Sequence, residues 1–127
     1  MFELKVRAHF SAAHKILEHP GKCGSLHGHN WNVDVTVQAS ELNRIGLAVD
    51  FSDMKRLLKE IIEPLDHVYL NELPAFSSLE NNPTAEVIAR SLFYAMKKGM
   101  AQLAPQARVV RVDLYETETC SASYFES

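Results

Sequence analysis

The segment His27-Gly28-His29 runs without a break into Trp31, Val33, Val35, Val37 and Ala39, and this alternation constrains the chain more than any other feature. Side chains two apart on a strand share a face. A strand from about His27 to Ala39 therefore points both imidazoles to one side, with the thiol of Cys23 just upstream where the chain enters. Leu4, Val6, Ala8 and Phe10 alternate with Glu3, Lys5, Arg7 and His9 in an earlier strand, Glu3 to Phe10, which leads through Phe10-Ser11-Ala12-Ala13 to His14. An antiparallel pairing of the two strands could present His14 to the same spot. Three neutral imidazoles with an open fourth position describe a catalytic zinc site.

The remaining chain supplies helices and a second strand pair. Asp50 or Ser52 can cap a helix in which Phe51, Met54, Leu57, Leu58, Ile61 and Ile62 recur at helical spacing until Pro64. Leu65 to Asn71 then reads as a short connection. Asn82 or Thr84 can cap a second helix from about Thr84 to Ala101, with Pro83 suited to its first position. Val110, Val112 and Leu114 resume strand alternation, followed by Cys120, Ala122 and Tyr124. The order ββααββ implies an α+β fold, a four-stranded antiparallel sheet covered on one face by two helices. At 127 residues, residues 1–127 are expected to form one domain.

A formal charge of −3 gives no reason to expect a nucleic-acid surface. The first residues lack the apolar core of a signal peptide, and no stretch approaches a membrane span, so a cytoplasmic protein without a membrane partner is expected. A reducing compartment would leave Cys23 and Cys120 as free thiols.

Several side chains have competing roles. Cys23 could be a fourth metal ligand, a small buried hydrophobe or an acid–base thiol, and Lys22 with a nearby cation would favour its thiolate. Asp66-His67 could be a loop pair whose imidazole caps the preceding helix, or a carboxylate-oriented proton shuttle. Glu116 has the parity of Val110, Val112 and Leu114, which would put a carboxylate in need of a partner on the buried face. Alternatively, the strand has ended and Glu116 is solvated like Glu118. His9 has the opposite parity to His14, and His19 lies in turn-forming sequence, so neither reads as a ligand. Trp31 reads as core, Cys120 as a buried spectator, and Thr84 and Glu86 as helix-start residues.

Six blocks in order, Phe10-Ser11-Ala12-Ala13-His14, Cys23-x3-His27-Gly28-His29, Val49-Asp50-Phe51, Leu65-Asp66-His67-Val68-Tyr69-Leu70-Asn71, Asn82-Pro83-Thr84-Ala85-Glu86 and Tyr115-Glu116-Thr117, resemble the 6-pyruvoyl-tetrahydropterin synthase and 6-carboxytetrahydropterin synthase family. The resemblance implies the T-fold, whose sheets join into a barrel across trimers, usually stacked as hexamers with sites between subunits. It also implies Zn2+ on His14, His27 and His29, Cys23 as the base, and His67 oriented by Asp66 as a proton relay. Glu116 would anchor the pterin, while Thr84 and Ala85 would give backbone contacts. An alignment on Glu-Thr-Cys would choose Glu118 instead, but spacing to Tyr124 favours Glu116. Cys23-x3-His27 resembles the bacterial carboxy branch, which serves 7-deazaguanine (queuosine) biosynthesis. That branch is a lyase that converts 7,8-dihydroneopterin triphosphate to 6-carboxy-5,6,7,8-tetrahydropterin, acetaldehyde and triphosphate. The alternatives are pyruvoyl formation from the same substrate and a non-catalytic zinc- or pterin-binding module.

Overall fold

The computed structural model describes residues 1–126. Two long strands, β1 (Phe2–His14) and β2 (His27–Ala39), pair antiparallel along their whole length, from Phe2 opposite Ala39 to His14 opposite His27. The first strand is longer than its apolar alternation suggested, because Ser11 to His14 stay paired with Asn30 to His27. Helix α1 (Phe51–Ile62) starts at Asp50, whose carboxylate accepts from the Ser52 amide at 2.8 Å. Helix α2 (Ala85–Leu103) starts at Thr84, whose hydroxyl accepts from the Val87 amide at 3.1 Å. Pro83 thus lies before the cap rather than inside the helix. Strands β4 (Arg108–Thr117) and β5 (Cys120–Phe125) close the chain as a hairpin.

The expected four strands gain a fifth. Within the segment read as a plain connection, Val68–Tyr69 forms β3, which runs parallel to β1 opposite Ala12 and Ala13. The sheet order is β3-β1-β2-β4-β5. Two residues of parallel pairing carry no periodicity that a sequence could display. A second departure lies in β4, where the register shifts between Thr36 and Val37 on β2. Val109, rather than Val110, consequently joins Val112 and Leu114 in the core.

Both helices cover one face of the sheet, α1 over β1 and α2 over β4 and β5. Val6, Phe10, Trp31, Val33, Val35 and Val37 from the sheet meet Met54, Leu58, Ile88, Leu92, Met96 and Met100 from the helices. Removing this apolar area from water is the main stabilising term. The indole of Trp31 is fully buried, stacks on Phe10 at 5.9 Å between centroids, and donates to the Ala12 carbonyl at 3.2 Å. On the opposite face, Arg7 pairs through two nitrogens with the carboxylate of Asp34, at 2.6 and 2.9 Å.

Two substitutions, one in α1 and one at its cap, separate the contributions of packing and capping. Leu58→Ala, which empties a fully buried position, should cost about 2–5 kcal/mol. Asp50→Ala, which removes only the cap, should cost about 1 kcal/mol. Urea denaturation at one fixed protein concentration should rank the midpoints wild type, Asp50→Ala, Leu58→Ala.

Candidate metal centre and active site

The β1–β2 register builds the site. His14 faces His27 directly and Ala12 faces His29, so the three imidazoles share the face that carries Phe10 and Trp31. One ring nitrogen from each of His14, His27 and His29 can be chosen so that all three lie within 4.8 Å of one another. Trp31 forms the floor, its ring 5.0 Å from that of His14 and 5.3 Å from that of His29.

Hydrogen bonds set the orientation of two of the rings. His14 Nδ1 lies 2.8 Å from the Pro83 carbonyl, and His27 Nδ1 lies 2.7 Å from the Ser25 carbonyl. A carbonyl can only accept, so each Nδ1 carries the proton and each Nε2 keeps a free lone pair. Burial, the leading cause, lowers the pKa of both His14 and His29, which favours their neutral form. Their Nε2 atoms are buried without a hydrogen-bond partner. Buried polar atoms of this kind are rare in native proteins unless a ligand completes them. Neutral nitrogens converging on one point, two of them otherwise orphaned, are a donor set that fits Zn2+.

Glu116 reaches the same place by an irregularity. Tyr115 pairs with Ser121 and Thr117 with Cys120, so Glu116 is the extra residue of a bulge. Its Oε1 lies 3.3 Å from His29 Nε2 and its Oε2 4.0 Å from His14 Nε2, with the side chain one quarter exposed. Glu118 is exposed in the turn between β4 and β5. An open cleft of about 510 Å³ adjoins Glu116, lined also by Ala85, Glu86, Cys120, Ser121 and Ala122. That volume is within the usual range for small-molecule sites. Cys120 is exposed there, not buried as expected. The Thr84 amide donates to the Asn82 carbonyl at 2.7 Å and its carbonyl accepts from Ile88 at 3.0 Å. Ala85, one residue further into the helix, is the member of this pair that lines the cleft.

Asp66 and His67 lie at the outer edge of β1. The Asp66 carboxylate accepts from the Ser11 amide at 2.9 Å and lies 3.0 Å from His67 Nδ1. The His67 amide donates to the Ser11 carbonyl at 2.6 Å, which holds His67 in the left-handed region at φ 57°. The Ser11 amide above all, then His67, holds the Asp66 carboxyl below its usual pKa. The His67 side chain is 81% exposed and its ring pairs with Asp66 rather than with the end of α1. Cys23 occupies a single 3₁₀ turn, Lys22–Gly24, half-buried and outside the histidine group. One chain thus assembles His14, His27, His29 and Glu116, and leaves Cys23 and the Asp66–His67 pair outside that cluster. Two carbonyls that orient the imidazoles, Pro83 and Ser25, were invisible to residue-type reasoning because any residue can supply one.

The chain resembles known proteins along nearly its whole length. The sequence profile of 6-pyruvoyl tetrahydropterin synthase matches residues 3–127. A 6-carboxy-5,6,7,8-tetrahydropterin synthase of Bacillus subtilis is 35% identical over 126 residues, covering 97% of this chain and 84% of that protein. One from Synechocystis is 35% identical over 121 residues, covering 91% and 87%. The solved structure of Caenorhabditis elegans 6-pyruvoyl tetrahydropterin synthase superposes with a TM-score of 0.85 over 99% of this chain and 96% of that one, at 23% identity, which is a likeness of fold. With the profile spanning almost every residue and a relative this similar along nearly the whole chain, the protein is a member of the 6-pyruvoyl tetrahydropterin synthase family.

Proposed function

We propose that this protein is a zinc-dependent lyase that converts 7,8-dihydroneopterin triphosphate and water to 6-carboxy-5,6,7,8-tetrahydropterin, acetaldehyde and triphosphate, a step toward 7-deazaguanines such as queuosine. Convergence of His14, His27 and His29 with two orphaned ring nitrogens is the observation that carries this proposal. The relatives at 35% identity carry the name of the carboxy enzyme. Residues 1–127 act as one cytoplasmic domain that assembles with further copies, first as a trimer whose sheets form one barrel and then as a hexamer.

When bound, zinc supplies Lewis acidity toward the side-chain hydroxyls of the substrate. The imidazoles hold it rigidly, because Pro83 and Ser25 fix two of the rings by their Nδ1 protons. Glu116 accepts from the paired donors at the pterin edge and so fixes the ring in the cleft, with Ala85 and Thr84 beside it. Cys23 removes a carbon-bound proton next to the hydroxyls, and His67 relays protons while Asp66 keeps its ring oriented. The reaction needs no external oxidant. The carbon left on the ring ends as a carboxylate, and the dihydropterin becomes a tetrahydropterin. A single chain holds His67 at the outer edge of β1, away from the imidazole cluster, which favours a site completed between copies.

Mass analysis of the pterin formed from 7,8-dihydroneopterin triphosphate, with an acetaldehyde assay, tests the reaction. A 6-carboxy product with stoichiometric acetaldehyde is expected. A 6-pyruvoyl product without acetaldehyde would assign the other branch, and no product would leave a binding module.

Four substitutions assign roles. His27→Ala should lose zinc and turnover together, read by elemental analysis, because one of three ligands is gone. Cys23→Ala should keep its zinc but lose about 10²–10⁴-fold in kcat, and zinc loss would instead make the thiol a ligand. Glu116→Gln should chiefly raise KM while Glu118→Gln changes little, since a carboxylate binds a paired donor array more strongly than a neutral amide does.

A further inference from the structure

The two ligand positions that face each other, His14 and His27, are also the ends of one loop, residues 15–26. A compact loop with adjoining ends is held together by its own contacts and by whatever grips it from outside. Here the outside grip is two asparagine side chains, the members of their two motifs that the chemistry above leaves without a task. Asn71 accepts from the Lys15 amide at 2.9 Å and donates to the Lys15 carbonyl at 2.9 Å. Asn82 does the same to Leu17, accepting from its amide at 2.8 Å and donating to its carbonyl at 3.1 Å. Each carboxamide therefore satisfies both backbone groups of one residue, as a neighbouring strand would.

The residue between them carries the consequence. The Ile16 amide donates to the carbonyl of Cys23 at 2.8 Å. Gly24, next to Cys23, passes so close under His19 that a Cβ there would collide with the His19 carbonyl. The Ile16 carbonyl accepts from the His19 amide at 3.2 Å. The thiol-bearing turn is thus hung on Ile16, and Ile16 is flanked on both sides by residues that Asn71 and Asn82 hold.

We propose that Asn71 and Asn82 are positioning residues, which act as a two-point clamp on Lys15 and Leu17 and thereby set the place of the Cys23 thiol relative to the His14 ring. This rests on the acid–base role given to Cys23 above. The residue type is specific. Aspartate keeps the shape but turns the donor into a repelled oxygen, and glutamine sets the amide one methylene too far. Displacing a reacting group by about 1 Å can cost about 100-fold in rate.

The test combines exchange, alkylation and kinetics on the zinc-loaded full chain. In the wild type, the Ile16 amide should exchange with deuterium as slowly as the paired amides of β1, and exchange at the rate of an exposed loop would overturn the clamp without any substitution. Asn71→Asp and Asn82→Asp should keep stoichiometric zinc and a KM within about twofold, lose at least tenfold in kcat, and speed both Ile16 exchange and iodoacetamide capture of Cys23. In the Cys23→Ala background the same substitutions should cost little more, as expected for residues acting through one group. Unchanged kcat, zinc loss in parallel with kcat, or full multiplicative losses on Cys23→Ala would each overturn the proposal. If the wild type makes no pterin product, the reaction assignment fails, while exchange and alkylation still decide whether the asparagines hold the thiol.

Discussion

Everything at the candidate centre depends on the register of β1 against β2. The ladder places His14 opposite His27, Ala12 opposite His29 and Phe10 opposite Trp31. A slip of one residue would turn every side chain of a strand to the other face and scatter the imidazoles. The register is held on one face by the apolar side chains of both strands and on the other by Arg7 and Asp34, paired at mid-strand. The same apolar packing that stabilises the fold therefore brings the ring nitrogens together. Trp31 joins the two roles, buried against Phe10 on one side and lying under His14 and His29 on the other.

What the sequence made legible follows from periodicity. His27 and His29 announce themselves because a strand repeats every two residues, and the helix starts at Asp50 and Thr84 because a cap needs a short polar side chain before an apolar stripe. The exclusion of His9 followed from the same alternation, and His9 is not part of the histidine group. The parity of Val110, Val112 and Leu114 puts Glu116 on the buried face, and its carboxylate does lie by His14 and His29, but by another route: the strand breaks phase once near Val109 and again at Glu116 itself. Bulges leave no composition signal, so no sequence pattern shows where they fall.

Long-range backbone contacts were equally illegible. Strand β3 is two residues long and exists because Asp66 and His67 fasten to Ser11. The carbonyls of Pro83 and Ser25 that orient the rings, and the asparagines that grip residues 15 and 17, are interactions between side chain and backbone across the loops. Any such contact depends on where two distant segments meet, which no local pattern encodes. Asn82 illustrates the gap, since its type suggested a helix cap and its amide instead serves the loop that carries Cys23.

Asp66 serves two structures with one carboxylate, the amide that anchors the edge of β1 and the imidazole of His67. Its pKa is depressed in the folded chain, so the stability it contributes is present above the unfolded value and is lost as pH falls through the folded one. Protonation weakens both hydrogen bonds at the same moment. The anchoring of the β1 edge and the alignment of the His67 ring are therefore coupled through one titrating carboxyl, although the backbone contact between His67 and Ser11 does not depend on it.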